Sequence, residues 1–171
     1  DNAIKESNYR IAAALVNNGY KIPGKKITIN MAPADLRKEG AAYDLTIAMG
    51  ILLASCQIQG DFIDETLIMG ELSLDGAVKP IKGALPMALD AKQQGFSKCI
   101  LPNANAQEAA IVEGLQVFGV RNLKEVIELL QGNGTVQREV VDLEKTFYQV
   151  QVKHDFDFSE VRGQEKSKRC M

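Results

Sequence analysis

The sequence predicts an α/β (α+β) domain, on three observations. Helix-period segments and strand-like segments alternate along the first 131 residues, the pattern of strands joined through helices. One helix-length run, residues 42–55, is apolar almost all round, as a helix buried on several sides would be. The 171-residue chain is 46% hydrophobic and 25% charged, enough for one real core with a short appendage and not a composition of disorder.

Each element has its own local signal. The first helix can be capped by Asp1 or Asn2, carries Ile4, Ile11, Leu15 and Val16 on one face, and stops at Asn17-Asn18-Gly19. Residues 26–31 (KITINM) alternate apolar and polar and read as a strand. Gly40 precedes the apolar helix, which should be the central one. Residues 66–72 form a strand, and Asp75-Gly76 supplies the positive φ of a two-residue hairpin turn into residues 77–81.

Residues 83–94 form a helix with Ala84, Met87, Ala88 and Ala91 in one stripe, widened by Leu85 and Leu89 and ended by Gly95. Pro86 falls in its first turn, where the missing N–H costs nothing. Residues 98–101 are a short strand ended by Pro102. Asn105, three residues before Glu108, resembles a capping box and opens a helix through Val112. Residues 115–120 make a strand and 122–130 a final amphipathic helix. The domain then ends near Gln131. Residues 132–157 read as a linker or insertion with one possible strand at 146–152 (TFYQVQV), and the chain turns polar and basic from Lys153.

Composition narrows the function classes. A net charge of −2 argues against the whole chain being an electrostatic nucleic-acid binder, although a local basic patch remains compatible with it. Cys56, Cys99 and Cys170 form no CxxC pair. Cys56 and Cys99 sit in apolar surroundings and read as buried, reduced thiols, which fits a cytoplasmic protein. The opening DNAIKESNYR lacks the regions of a signal peptide. The longest apolar run, residues 47–56, is half of the ~20 residues a membrane span requires.

Three motifs invite chemistry. Residues 19–25 (GYKIPGK) satisfy G-x-x-x-x-G-K, but Lys26 stands where Ser or Thr would hold Mg²⁺, and the segment leaves a helix instead of entering one. It reads as a helix C-cap and turn, with no cofactor-binding role. His154, the single histidine, lies beside Asp155 and Asp157 without a metal-ligand spacing, so no metal site is expected. Arg37, Lys38 and Glu39 precede the buried helix, whose N-terminus favours an anion. They are the candidate ligand or interface loop, though Asp35 and Glu39 can neutralise both cations. Asp44, in the first turn of that helix, complements its dipole and reads as structural.

The segment KEGAAYDL resembles the part of the Lon-type proteolytic domain in which a Lys-Asp-Gly-Pro-Ser-Ala-Gly run carries the nucleophile. Lys38 and Gly40 match, Glu39 replaces the aspartate, and the serine position falls on Ala42. Downstream, MGELSLDGAVKPIKGAL resembles that family's Thr-Gly-Glu strand, hairpin and lysine turn. Gly70, Glu71, Gly76, Val78, Pro80, Ile81 and Gly83 match, and the lysine position falls on Leu85. A Ser–Lys dyad needs a hydroxyl and an amine, and here stand a methyl and an isobutyl group. No catalytic residue is therefore expected. A substitute built from Ser73 with Lys79 or Lys82 is the one peptidase alternative.

A longer similarity covers almost the whole chain. APADLRKEG, GELSLDGAVKPIKGALPMAL, ILPNANAQEAAIVEG and DFSEVRGQEKSKR are very similar to magnesium-chelatase-like AAA+ ATPases of the competence-protein type. The resemblance implies a ribosomal-protein-S5-domain-2-like, Lon-like fold for residues 1–131, truncated at its N-terminus, and places residues 158–171 at the start of an AAA+ module. It implies ATP and Mg²⁺ in that module and a hexameric ring of the parent protein. It also implies action on DNA, in branch migration during recombination of incoming strands. A magnesium-chelatase ATPase subunit is the alternative within the same family.

Overall fold

The computed structural model describes residues 2–30, 41–60 and 62–141. The elements run α1 (Asn2–Asn17), α2 (Asp44–Ala54), β1 (Thr66–Ile68), β2 (Glu71–Leu72), β3 (Val78–Lys79), α3 (Ala84–Gln93), β4 (Lys98–Pro102), α4 (Asn103–Ala109), β5 (Gln116–Val120) and α5 (Leu123–Leu130). A single 3₁₀ turn, Ile63–Glu65, leads into β1.

The frame is a parallel sheet in the order β1-β4-β5, with Thr66 opposite Lys98 and Lys98 opposite Gln116. The middle strand, KCILP, has no polar face because helices cover both sides, as parallel sheets require. Its Cys99 and Leu101 point into a cluster with Ala84, Ala88, Ala106 and Ala109 of α3 and α4. Ile100 points the other way, into a cluster with Ile11 and Leu15 of α1, Leu45, Met49 and Leu52 of α2, and Val126 and Leu130 of α5. The strand's period of two thus sorts the molecule into its two cores.

Both ends of the helical scaffold carry recognisable stops and starts. Tyr20 N–H donates to the Leu15 carbonyl at 2.9 Å and Gly19 N–H to the Val16 carbonyl at 3.0 Å, with Gly19 left-handed at φ +84°. This Schellman pair ends α1, as the Asn-Asn-Gly signal predicts. Asn122 caps α5 by accepting from Glu125 N–H at 3.0 Å, and Glu125 reaches back to Arg121 N–H at 2.7 Å.

Several expectations need correction. Residues 26–30 form no strand: among the described residues no neighbouring strand pairs with them, and Ile27 and Ile29 stay 41% and 43% exposed. Residue 31 lies outside the described residues. The apolar helix α2 buries only the face of Leu45, Ala48, Met49 and Leu52; Thr46, Gly50 and Ala54 are exposed on the other. On α1, Val16 turns outward and Ala14 takes its place in the core.

The strand expected over 66–72 is two strands, interrupted at Met69 and Gly70. There the backbone leaves the parallel sheet and docks on α2: Gly70 N–H donates to the Ala42 carbonyl at 2.7 Å, and Leu45 N–H donates to the Gly70 carbonyl at 3.0 Å. β2 then pairs antiparallel with β3, Glu71 opposite Lys79. Ser73 and Ala77 close a three-residue turn, 74–76, between them: Ser73 N–H donates to the Ala77 carbonyl, Gly76 N–H to the Ser73 carbonyl, and Gly76 is left-handed at φ +89°. That is a type I turn with a glycine bulge in place of a two-residue turn.

The hairpin tip is held from two sides. Asn17 and Asn18 side chains donate to the Leu74 and Asp75 carbonyls at 2.7 and 3.0 Å. Val78 N–H donates to Arg121 at 2.8 Å, and Leu123 N–H to Gly76 at 2.9 Å. Residues past the expected boundary at Gln131 also return to the sheet. Glu139 N–H donates to the Val117 carbonyl at 2.8 Å, Arg138 bridges Phe118, and Val136 packs on the core. The first compact unit accordingly runs Asp1–Val140. The possible strand at 146–152 and the basic stretch from Lys153 lie outside the described residues.

Candidate functional site

The two positions that the Lon resemblance assigns to the dyad are held by different elements against one core. Ala42 lies in the turn entering α2, and its carbonyl is occupied by Gly70 N–H. Leu85 is in the first turn of α3, after Gly83, left-handed at φ +79°. Both side chains are half-buried and pack against the same cluster, which Met69, Cys99, Leu101 and Val117 build. Ala42 and Leu85 are themselves hydrocarbon, and the side chains they pack among are mostly apolar, with the Cys99 thiol and Tyr43 as the polar-tipped members.

The turns around these positions are tied together by side-chain hydrogen bonds. Asn105 is a residue inside α4, 7% exposed, and its amide makes a reciprocal pair with Ile81: Ile81 N–H donates to Oδ1 and Nδ2 donates to the Ile81 carbonyl, both at 2.9 Å. The capping box expected of Asn105 and Glu108 is not formed. Helix α4 opens two residues earlier behind Pro102, and Glu108 accepts instead from Leu85 N–H at 3.2 Å. Carboxylate Glu108 thereby occupies an amide that an anion would otherwise find free at the start of α3.

Asp44 is a fully buried carboxylate beside these turns, at 0% exposure. Its carboxylate accepts from the Ser7 hydroxyl, from Arg10 Nε at 3.0 Å and, at a longer 3.4 Å, from Leu72 N–H. The hydrogen bond to Asp44 raises the Arg10 guanidinium above its ordinary value. Arg10 also reaches Glu6 at 2.9 Å. Asp44 therefore joins α1, α2 and β2, with both carboxylate oxygens engaged in hydrogen bonds between these elements. Sequence patterns gave no sign of Arg10, whose partner lies 34 residues away.

The remaining candidates fall apart or fall outside. Arg37, Lys38 and Glu39 lie outside the described residues, as does His154. Ser73 stands opposite Ala77 while Lys79 stands opposite Glu71, and no hydrogen bond joins Ser73 to Lys79 or Lys82 among the described residues. Residues 19–25 begin with the Schellman turn of α1 and continue as irregular chain without a following helix. Among the described residues no group of three His, Cys, Asp or Glu could hold a metal ion, and no helix is long and apolar enough to cross a membrane.

Of the two described thiols, burial pushes Cys99 up to about 12, whereas Cys56 is exposed, contrary to expectation. The reason is local: α2 ends one residue before Ser55, and the chain turns through Cys56 in the left-handed region at φ +56°, carrying its side chain outward.

The sheet order, the broken strand and the hairpin turned toward α2 define a mixed α/β domain of the Lon-like class. Lon protease 2 of Bacillus subtilis is 32% identical over 143 residues, which are 82% of this chain and 25% of that protein. The particular family is narrower. Residues 1–105 match the family described as subunit ChlI of Mg-chelatase, and the chain belongs to that family, in its ComM/YifB-type group. The YifB protein of Escherichia coli (strain K12) is 38% identical over 169 residues, 99% of this chain and 32% of its own length. Competence protein ComM of Haemophilus influenzae is 32% identical over 171 residues, 100% of this chain and 33% of its own length. The chain thus spans about a third of these relatives.

Proposed function

We propose that this chain is the non-catalytic Lon-like domain of a ComM-like AAA+ ATPase that acts on DNA, serving ring assembly or DNA engagement. The observation that carries the reading is the pairing of Ala42 and Leu85 on one apolar cluster: the scaffold is kept and both reacting groups are replaced. Similarity to ComM along the whole chain, but over a third of ComM, supports a place within a larger protein. Residues 158–171, with Gly163-Gln164, are assigned to the opening of the ATPase module, and residues 132–157 to the connection. ATP and Mg²⁺ belong to that module, the partner is the same protein in a hexameric ring, and branch migration in natural transformation is the proposed process. Arg37, Lys38 and Glu39 are the proposed interface or ligand loop.

The test compares the full-length parent with a form lacking residues 1–140. The expected result is weaker DNA-stimulated ATP hydrolysis, a smaller assembly by light scattering, or both. Equal assembly and equal DNA binding in the two forms would sink the reading. A phosphate loop, G-x-x-x-x-G-K-[ST], within roughly 20 codons after Met171 is the corresponding genetic check.

The family description favours one second reading, a magnesium-chelatase ATPase subunit. It requires ATP hydrolysis coupled to partner subunits and a porphyrin, with no response to DNA. Stoichiometric labelling of one serine by a fluorophosphonate probe would instead revive the peptidase alternative.

A further inference from the structure

We draw no further inference here: the strongest candidate, the open cavity of about 1190 Å³ between residues 21–30 and the outer face of α2, presents Ile27, Ile29, Ile47 and Ile51 to a space whose occupant nothing in the structure identifies.

Discussion

Arg10 Nε donates at 3.0 Å to an Asp44 carboxylate that is only 1% exposed, so a charge pair ties the first helix to the start of the second. Replacing Arg10 by Met leaves that carboxylate buried with only the Ser7 hydroxyl and the long Leu72 contact. Breaking one side of a buried pair costs about 3–5 kcal/mol. Because Arg10 itself is 20% exposed and water can partly replace it, the lower end is expected. Urea unfolding of Arg10→Met should show a lower midpoint at unchanged slope. An unchanged midpoint would mean that the pair contributes nothing net.

Gly70 and Gly50 should respond in opposite directions to alanine. A Cβ on Gly70 would stand 2.9 Å from Val78 Cγ1 and 3.1 Å from Leu45 Cδ2, both buried side chains with nowhere to go. Gly70→Ala is expected to cost about 1–3 kcal/mol by overpacking. Gly50, on the open face of α2, meets nothing within 4 Å, and Gly50→Ala should stabilise by about 0.5–1 kcal/mol through helix propensity. Thermal melts of the two variants, read against wild type, decide both claims.

The Asn105–Ile81 pair should be visible in exchange rates. Asn105→Leu keeps the branched shape, with somewhat more bulk, but leaves the part-buried Ile81 N–H and carbonyl without their partner, at about 1–3 kcal/mol. Hydrogen exchange of the Ile81 amide should accelerate in this variant more than exchange in α5 does. Uniform acceleration of all amides would show only a general loss of stability.

Alkaline stability should depend on Cys99. Burial pushes its folded-state pKa up to about 12, above the ordinary thiol value of 9.0, so the folded chain keeps a proton that the unfolded chain releases. The contribution is fully present below about pH 9 and is lost as pH rises toward 12, by up to about 1.4 kcal/mol per pH unit. Cys99→Ala should flatten that slope while lowering stability at neutral pH. In the native state an aqueous thiol reagent should label Cys56 and leave Cys99 unmodified; rapid labelling of Cys99 would contradict its burial.

What could be read from the sequence was what neighbours in sequence decide. The stop at Asn17-Asn18-Gly19, the start of the last helix at residue 122 and the short strand from Lys98 rest on local signals and stand where expected, although that strand runs on through Pro102, which pairs with Val120 instead of ending it. The segment KITINM failed because a strand is a property of two chains, and alternation cannot supply the second one. Asn105 was misread for a related reason: Asn-x-x-Glu is a local pattern, but the amide's real partner, Ile81, is 24 residues away. The break at Gly70 follows from the approach of α2, again invisible along the chain. At the candidate site the identities of Ala42 and Leu85 were legible at once. Their convergence on one cluster came only with the fold.

The four bonds that hold the hairpin tip also set how this domain can come apart. A two-stranded ribbon standing alone is marginal and would fray first. Here lifting residues 71–79 breaks the side-chain bonds of Asn17 and Asn18 at the end of α1, and strips Leu123 N–H from Gly76 at the start of α5. Leu72 and Val78 would leave the core in the same motion. Among the described residues the two-stranded sheet is therefore tied into the core that α1, α2 and α5 share, and its protected amides should open only when the domain unfolds as a whole.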